Sequence, residues 1–276
     1  MRRIGELLAA TRVPDSATPE LDVELLLAQV LDKPRSYLRT WPERQLSPEQ
    51  QAAFDALLAR RCAGEPVAYL LGHQGFWTLD LQVGPATLIP RADTERLVEL
   101  ALELGPQGAA RVLDLGTGTG AIALALASEK PQWQLTGCDL QAEAVQLAES
   151  NRQRLALGNA AFVQSDWFAA LTGQQYDLIV SNPPYIAADD PHLQQGDVRF
   201  EPASALISGE DGLDAIRHII DLAPAYLAAD GWLLIEHGWQ QAELVRGLLV
   251  QRGFAAVESW CDLGGHQRVS GGQWGG

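Results

Sequence analysis

Val112-Leu113-Asp114-Leu115-Gly116-Thr117-Gly118-Thr119-Gly120 runs directly into Ala121-Ile122-Ala123-Leu124-Ala125-Leu126-Ala127. The order is a short apolar strand, a glycine-rich turn and an apolar helix. Glycines permit positive φ and let a ligand approach the backbone closely. The free N–H groups and dipole of the helix N-terminus beyond them favour an anionic group. From residue 111 onward strand-like and helix-like stretches alternate. That alternation predicts an α/β domain with a doubly wound, mostly parallel sheet. The spacing places strands at 111–115, 134–138, 160–164, 176–181, 231–236, 254–260 and 266–270, and helices at 120–129, 141–155, 212–228 and 239–252.

Gly116, Gly118 and Ala121 fit the dinucleotide-binding pattern G-x-G-x-x-G/A, which leaves a nicotinamide or flavin enzyme open at this point. Asp139 ends the second strand, at the distance where an acid binds ribose hydroxyls, although an Asp there also suits a helix N-cap. Further on, Asn182-Pro183-Pro184-Tyr185 follows the apolar run from Tyr176 to Ser181, where a buried strand ends. Ligands of open α/β sheets bind just beyond such strand ends. Two prolines have fixed φ and no N–H to donate. The carbonyls and the Asn182 side chain are therefore held still and free to accept, with an aromatic face beside them. This is a rigid acceptor for a planar NH2 group.

The 276 residues suit one ordinary domain and a small one, and 47% hydrophobic content supports a packed core. The net charge is −15, unevenly spread. Residues 1–72 carry 10 acidic and 9 basic side chains, whereas residues 73–276 carry 25 and 11. A duplex-binding protein normally shows a basic stripe; none is present, so no direct nucleic-acid partner is expected. Cys62, Cys138 and Cys261 are far apart with no C-x-x-C, which suits a reducing cytoplasm and argues against disulfides or zinc. No metal is expected: His192 lies near Asp189, Asp190 and Asp197, but this reads as a solvated acidic loop. The apolar stretch after Arg2 and Arg3 is broken by Arg12 and Pro14, so no signal peptide is read, and no run is long enough for a membrane span.

The first sixty or so residues read as helices. Thr18-Pro19-Glu20 starts one, with Thr as cap, and Ser47-Pro48-Glu49-Gln50 is a capping box that starts another. Tyr37 to Pro42 reads as a link between helices. The expected division is a helical domain at 1–72, a β-hairpin linker at 73–90 and the α/β domain at 91–276. The tail Ser270 to Gly276 is glycine-rich and is expected to be mobile at its end.

With the glycine loop, Asp139 and Asn-Pro-Pro-Tyr in that order, the chain resembles class I S-adenosylmethionine-dependent methyltransferases. More narrowly, it resembles the bacterial protein-(glutamine-N5) methyltransferases that modify peptide chain release factors. The resemblance includes Leu88 to Glu95, Asp114 to Gly120, Ser165 to Phe168, Ser181 to Tyr185, Phe200-Glu201-Pro202 and Leu234 to Gly238. Ala92 stands where the family commonly has proline. The resemblance implies a seven-stranded Rossmann-like methyltransferase sheet with a small N-terminal all-α, substrate-docking domain joined by the hairpin. It implies that Gly116, Thr117, Gly118, Thr119 and Gly120 wrap the methionine end of S-adenosyl-L-methionine and that Asp139 binds its ribose. Trp167 would pack beside the adenine with Asp166 near the amine. Asn182, Pro183, Pro184 and Tyr185 would hold the glutamine amide of the release factor. Glu201 and Glu236 would shape the site or serve as caps, and Arg91 would orient the domain junction without a catalytic part.

The implied activity is methylation of the glutamine N5 in Gly-Gly-Gln, by a cytoplasmic monomer. A nucleic-acid amino-methyltransferase of the adenine-N6 type is the alternative, because it offers a similar NH2 group. An oxidoreductase on the same glycine loop and a non-catalytic interaction protein remain further rivals. The chain's own Gly271-Gly272-Gln273 is either a chance feature of a glycine-rich ending or a substrate mimic for a neighbouring molecule.

Overall fold

A computed structural model describes residues 2–14 and 16–276. The chain divides into two compact units. One comprises the residues up to His73 together with Pro191–Phe200, and the other comprises Gln74–Asp190 and Glu201–Gly276.

The first unit holds helices α1 (Ile4–Ala10), α2 (Pro19–Leu31), α3 (Arg35–Thr40), α4 (Pro48–Cys62) and α5 (Val67–Leu71). Leu7, Leu26, Leu27, Leu38 and Phe54 bury completely in its core. The Ser47 capping box is formed: its hydroxyl accepts from Gln50 N at 3.2 Å, and Gln50 Oε1 accepts from Ser47 N at 2.9 Å. Thr18 does occupy the cap position of α2, but its hydroxyl donates to Asp22 (3.2 Å) instead of accepting from the backbone. Asp22 is buried, and the Nε of the equally buried Arg61 reaches it at 2.7 Å. Asp197, from the second segment of this unit, takes Arg61 Nη1 at 3.1 Å. The expected link at Tyr37 to Pro42 is mostly helix, since α3 occupies Arg35–Thr40. Six residues are too few to show a periodicity, and the burial of Leu38 decides the conformation.

The hairpin β1 (His73–Phe76) and β2 (Leu79–Gln82), which belongs to the second unit from Gln74 onward, is followed by α6 (Glu95–Leu104). There follow β3 (Ala110–Leu115), α7 (Ala121–Glu129), β4 (Trp133–Asp139), α8 (Ala142–Arg154), β5 (Ala160–Gln164) and β6 (Tyr176–Ser181). The rest are α9 (Asp214–Leu222), β7 (Leu227–Glu236), α10 (Ala242–Arg252), β8 (Ala255–Cys261) and β9 (Gln267–Gln273). The seven-stranded sheet has the order β5-β4-β3-β6-β7-β9-β8, parallel except for β9, which is antiparallel to both neighbours. Strands buried on both faces must be apolar throughout. Accordingly Val112 of β3 packs into one core, while Leu113 and Leu115 pack into the other. The strand order reverses between β3 and β6, and this switch point is where such sheets leave a crevice.

One expected helix fails here, and one expected strand is longer than read. The helix expected over 212–228 ends at Leu222, passes through a 3₁₀ turn and gives way to β7 at Leu227. Pro224 has no N–H for a continuing helix and clashes with the preceding turn. The last strand, expected at 266–270, runs on as β9 as far as Gln273, paired with β7 and β8. Its glycines are needed there: a Cβ on Gly271 would lie 2.5 Å from Leu234 Cδ2 and 2.6 Å from the Leu233 carbonyl oxygen. Gln273 donates its amide to the Asp230 carbonyl at 2.9 Å. This removes the substrate-mimic reading, because the residue is built into the sheet.

Candidate active site

The crevice at the switch point is built on the ends of β3, β4 and β6. Leu115 of β3 pairs with Cys138 of β4 on one side and Ser181 of β6 on the other. The buried Ser181 hydroxyl locks the tips of β3 and β6 together by donating to the Leu115 carbonyl at 2.8 Å. Beyond β3 the chain turns sharply. Gly116, Gly118 and Gly120 take φ of +71°, +54° and +81°, which any side chain would resist. The N–H groups of Gly116 and Thr117 both donate to the Cys138 carbonyl at 2.9 Å, and Gly118 N–H donates to Asp139 at 3.0 Å. A Cβ on Gly116 or Gly118 would meet no protein atom closer than 3.8 Å, so these two glycines face open space. Gly120 differs: its Cβ would press on Leu124 and Phe162 at 3.0 Å, so it is a packing and capping residue.

Asp114 stands beneath the turn, wholly buried. Its Oδ2 accepts from the Thr117 hydroxyl at 2.6 Å and from Ala123 N–H at 3.3 Å, while Oδ1 has no partner. Burial pushes its pKa up to about 7 against those two hydrogen bonds, and the neighbouring charge of Asp139 adds to the rise. Asn151 of α8 ties the loop to the hairpin, giving its Nδ2 to the Thr119 carbonyl (2.9 Å) and accepting from Gln82 N–H (2.7 Å).

The cavity in front of the loop is lined by Gly116, Thr117, Gly118 and Thr119 on one side and by Asn182 and Pro184 on another. Asp139, Leu140, Asp166 and Trp167 also line it. Phe76, Thr87, Arg91, Thr94, Ser204 and Ala205 are among the other wall residues. Asp139 accepts from Gly118 through Oδ2 and from Gln141 N–H through Oδ1, so each oxygen keeps lone-pair capacity for a hydroxyl. Trp167 has φ +47°, an outlier for so bulky a residue. Its carbonyl is held by the Ser165 hydroxyl at 2.7 Å, and the strained turn sets the indole against the cavity.

Behind the tip of β6 lies a polar cluster. Asn182 gives its Nδ2 to the Thr94 hydroxyl oxygen at 3.1 Å. The Tyr185 hydroxyl donates to Glu236 Oε1 at 3.3 Å, and both Thr94 and Glu236 are buried. Burial pushes Glu236 up to about 7 while the Thr94 hydroxyl and Arg268 pull it down. Burial also pushes the Tyr185 phenol up. Glu201 is fully enclosed and pairs with Arg91 Nη2 at 2.7 Å.

Residues 5–72 match the family described as the PrmC N-terminal domain, and residues 95–241 match the methyltransferase small domain. A release factor glutamine methyltransferase of Pseudomonas aeruginosa is 59% identical over 99% of this chain and 99% of its own length. Its Escherichia coli counterpart is 51% identical over 95% of each chain. The chain belongs to the release factor glutamine methyltransferase family. A solved methyltransferase from Pyrococcus furiosus superposes with a TM-score of 0.56 over 79% of this chain and 97% of its own, at 18% identity, a likeness of fold alone.

Against this family frame, the residues expected at the cofactor and amide positions do not all stand in one place. Gly116 to Thr119, Asp139, Asp166, Trp167, Asn182 and Pro184 face the common cavity. Gly120, Pro183 and Tyr185 are outside its lining: Gly120 is packed beneath the turn, Pro183 is buried, and Tyr185 turns its hydroxyl to Glu236. Arg91 pairs with Glu201, and both belong to the second unit. Sequence reasoning missed Thr94 and Asn151, whose hydrogen bonds span 88 and 69 residues. The Thr94 signal was its place in the Arg91–Glu95 stretch; Asn151 gave none.

Proposed function

We propose that the protein methylates the side-chain amide nitrogen of the glutamine in the Gly-Gly-Gln motif of peptide chain release factors, with S-adenosyl-L-methionine as donor. The observation that carries this reading is one cavity with a glycine turn on one wall and the Asn182 carboxamide on another. The names borne by the relatives support it. The uneven negative charge disfavours a phosphate-backbone partner.

The donor fits the residues present. Gly116 and Gly118 leave the space that side chains would fill, and Asp139 keeps acceptor capacity for ribose hydroxyls. When bound, S-adenosyl-L-methionine supplies a methyl group already activated on a sulfonium. Gly116 to Thr119 would hold its amino-acid end and Asp139 its ribose, with Trp167 and Asp166 at the base.

An amide nitrogen is a poor nucleophile because its lone pair is delocalised into the carbonyl. The chain's own task is therefore alignment and charge stabilisation. With Nδ2 committed to Thr94, Asn182 turns its Oδ1 to the substrate and accepts one N–H; the backbone carbonyl of Pro183, a residue buried outside the cavity lining, would accept the other. As positive charge grows on the nitrogen these bonds strengthen. Preorganised polar groups of this kind contribute roughly 10²–10³ in rate. The helical unit takes the body of the release factor, and the enzyme acts as a monomer in the cytoplasm, where translation ends.

Mass spectrometry of release factor incubated with enzyme and isotopically labelled methyl donor tests the reading. One labelled methyl on the Gly-Gly-Gln glutamine is expected. Label on DNA supplied in parallel, with none on the release factor, would overturn it.

A further inference from the structure

Three elements distant in sequence converge behind the cavity wall: the 3₁₀ turn Ala92–Thr94, the tip of β6 and the end of β7. They bring Thr94, Asn182 and Glu236 into one polar chain. Thr94 is 4% exposed and Glu236 1%. So deep a carboxyl is costly unless it is used or fully partnered. Yet among the described residues Glu236 Oε2 has no hydrogen-bond partner, and Oε1 takes a long 3.3 Å bond from Tyr185. The Thr94 hydroxyl faces this carboxyl and draws its pKa down.

A hydroxyl has one proton and can also accept. If Glu236 is ionised it can only accept, so the Thr94 proton points to it. The Thr94 oxygen then has only lone pairs for Asn182, whose NH2 must face inward, as it does at 3.1 Å. The Asn182 oxygen is left for the cavity. With Glu236 protonated the polarity reverses: the acid donates to Thr94, Thr94 donates to the Asn182 oxygen, and the NH2 swings outward. An outward NH2 repels a substrate NH2.

We propose that Glu236, acting through Thr94, is a positioning residue that fixes the Asn182 carboxamide with its oxygen toward the cavity. The inference rests on the proposed glutamine-amide reading and extends it to the residues that set the acceptor's orientation. The groups facing Glu236 are Tyr185 from the loop after β6, Arg268 from β9, and Asp93 beside Thr94. Burial raises the acid to about 7, Thr94 and Arg268 oppose the rise, and Asp93 adds to it. The productive state is the ionised one, so it is lost as pH falls through about 7.

Two readouts separate this inference from the substrate reading. The first needs no substrate: the ¹⁵N-labelled side-chain NH2 of Asn182, followed by NMR through a pH titration. A transition near neutral pH is expected in the parent, absent in Glu236→Gln, with the NH2 resonance shifted and exchanging faster in Thr94→Val. The second is turnover on release factor. Thr94→Val is expected to lose roughly tenfold to a hundredfold in kcat with methyl-donor Kd unchanged, and Thr94→Ser to restore it. An Asn182 signal indifferent to pH and to Thr94→Val would overturn the positioning role, whatever the activity. If the parent leaves release factor unmodified, the substrate reading falls and the NMR titration still decides the orientation.

Discussion

Asn182 and Asp114 occupy neighbouring strand tips but answer to different forces. Asn182 is held by a neutral donor bond to Thr94 and lines the cavity, where the proposed mechanism uses its oxygen as an acceptor. Replacing it by Ala removes that acceptor while leaving the glycine turn intact. The expected result is a kcat lower by roughly 10²–10³ with methyl-donor affinity nearly unchanged, measured by single-turnover methylation and calorimetry. Asp114 bears on stability instead. Its folded pKa of about 7 lies above the ~3.9 of an unfolded carboxyl. The native state therefore holds the proton more tightly. The associated stability is complete below about pH 4 and is lost as pH rises through 7. Asp114→Asn removes this dependence, so its melting temperature should gain on the parent's between pH 5 and pH 8. The gain at pH 8 corresponds to at most about 4 kcal/mol; a constant difference across that range would contradict the buried-proton account. Glu236 titrates in both proteins and cancels. The glycine turn and Asn182 were legible because each is a local pattern with a local cause. Thr94 and Glu236 were not ranked above ordinary caps, since their importance arises only when residues 94, 182 and 236 meet.

At the level of elements, β9 shows how tertiary pairing overrides composition. Ser270-Gly271-Gly272-Gln273 has the residues of a flexible ending, and glycine normally weakens a strand. In this sheet it is flanked on both edges, by β7 and β8, and its glycines admit the Leu233 carbonyl and the Leu234 and Phe254 side chains. Gly271→Ala would place a Cβ 2.6 Å from a backbone oxygen that cannot yield locally. A loss of about 1–3 kcal/mol is expected in urea melts. Gly275→Ala, with nothing within 4 Å of the added Cβ, serves as a neutral control. Equal melts for the two would show that the strand accommodates side chains after all. The parallel strands were read correctly because burial on both faces requires continuous apolar runs. The antiparallel last strand was read only to residue 270, because Gly271 and Gly272 carry no apolar pattern, and the helix before β7 was overextended because the apolar periodicity outweighed Pro224, which in fact ended it.

Across the whole molecule, the order of residues and the order of compact units do not coincide. The chain leaves the acceptor loop at Tyr185, enters the helical unit for Pro191–Phe200 and returns at Glu201. Nothing periodic marks that excursion, so a boundary drawn along the sequence could not include it. Arg61 anchors it within the helical unit, reaching buried Asp22 at 2.7 Å and Asp197 at 3.1 Å. The two partners differ in burial: the Asp197 side chain is 39% exposed and that of Asp22 6%. Asp197→Asn should therefore cost at most about 1 kcal/mol. Arg61→Ala leaves Asp22 buried without its counter-ion and should cost about 3–5 kcal/mol. Removing residues 1–73 goes further, for it strips Pro191–Phe200 of every helix in its own unit. The shortened protein should be cut by protease within 191–200 at concentrations that spare the parent, and Asp197→Asn should stay resistant. Because that segment begins six residues after Tyr185, its release should also lower methyl transfer more than methyl-donor binding. A shortened protein that resists proteolysis at 191–200 would show that the segment holds its conformation without the helices.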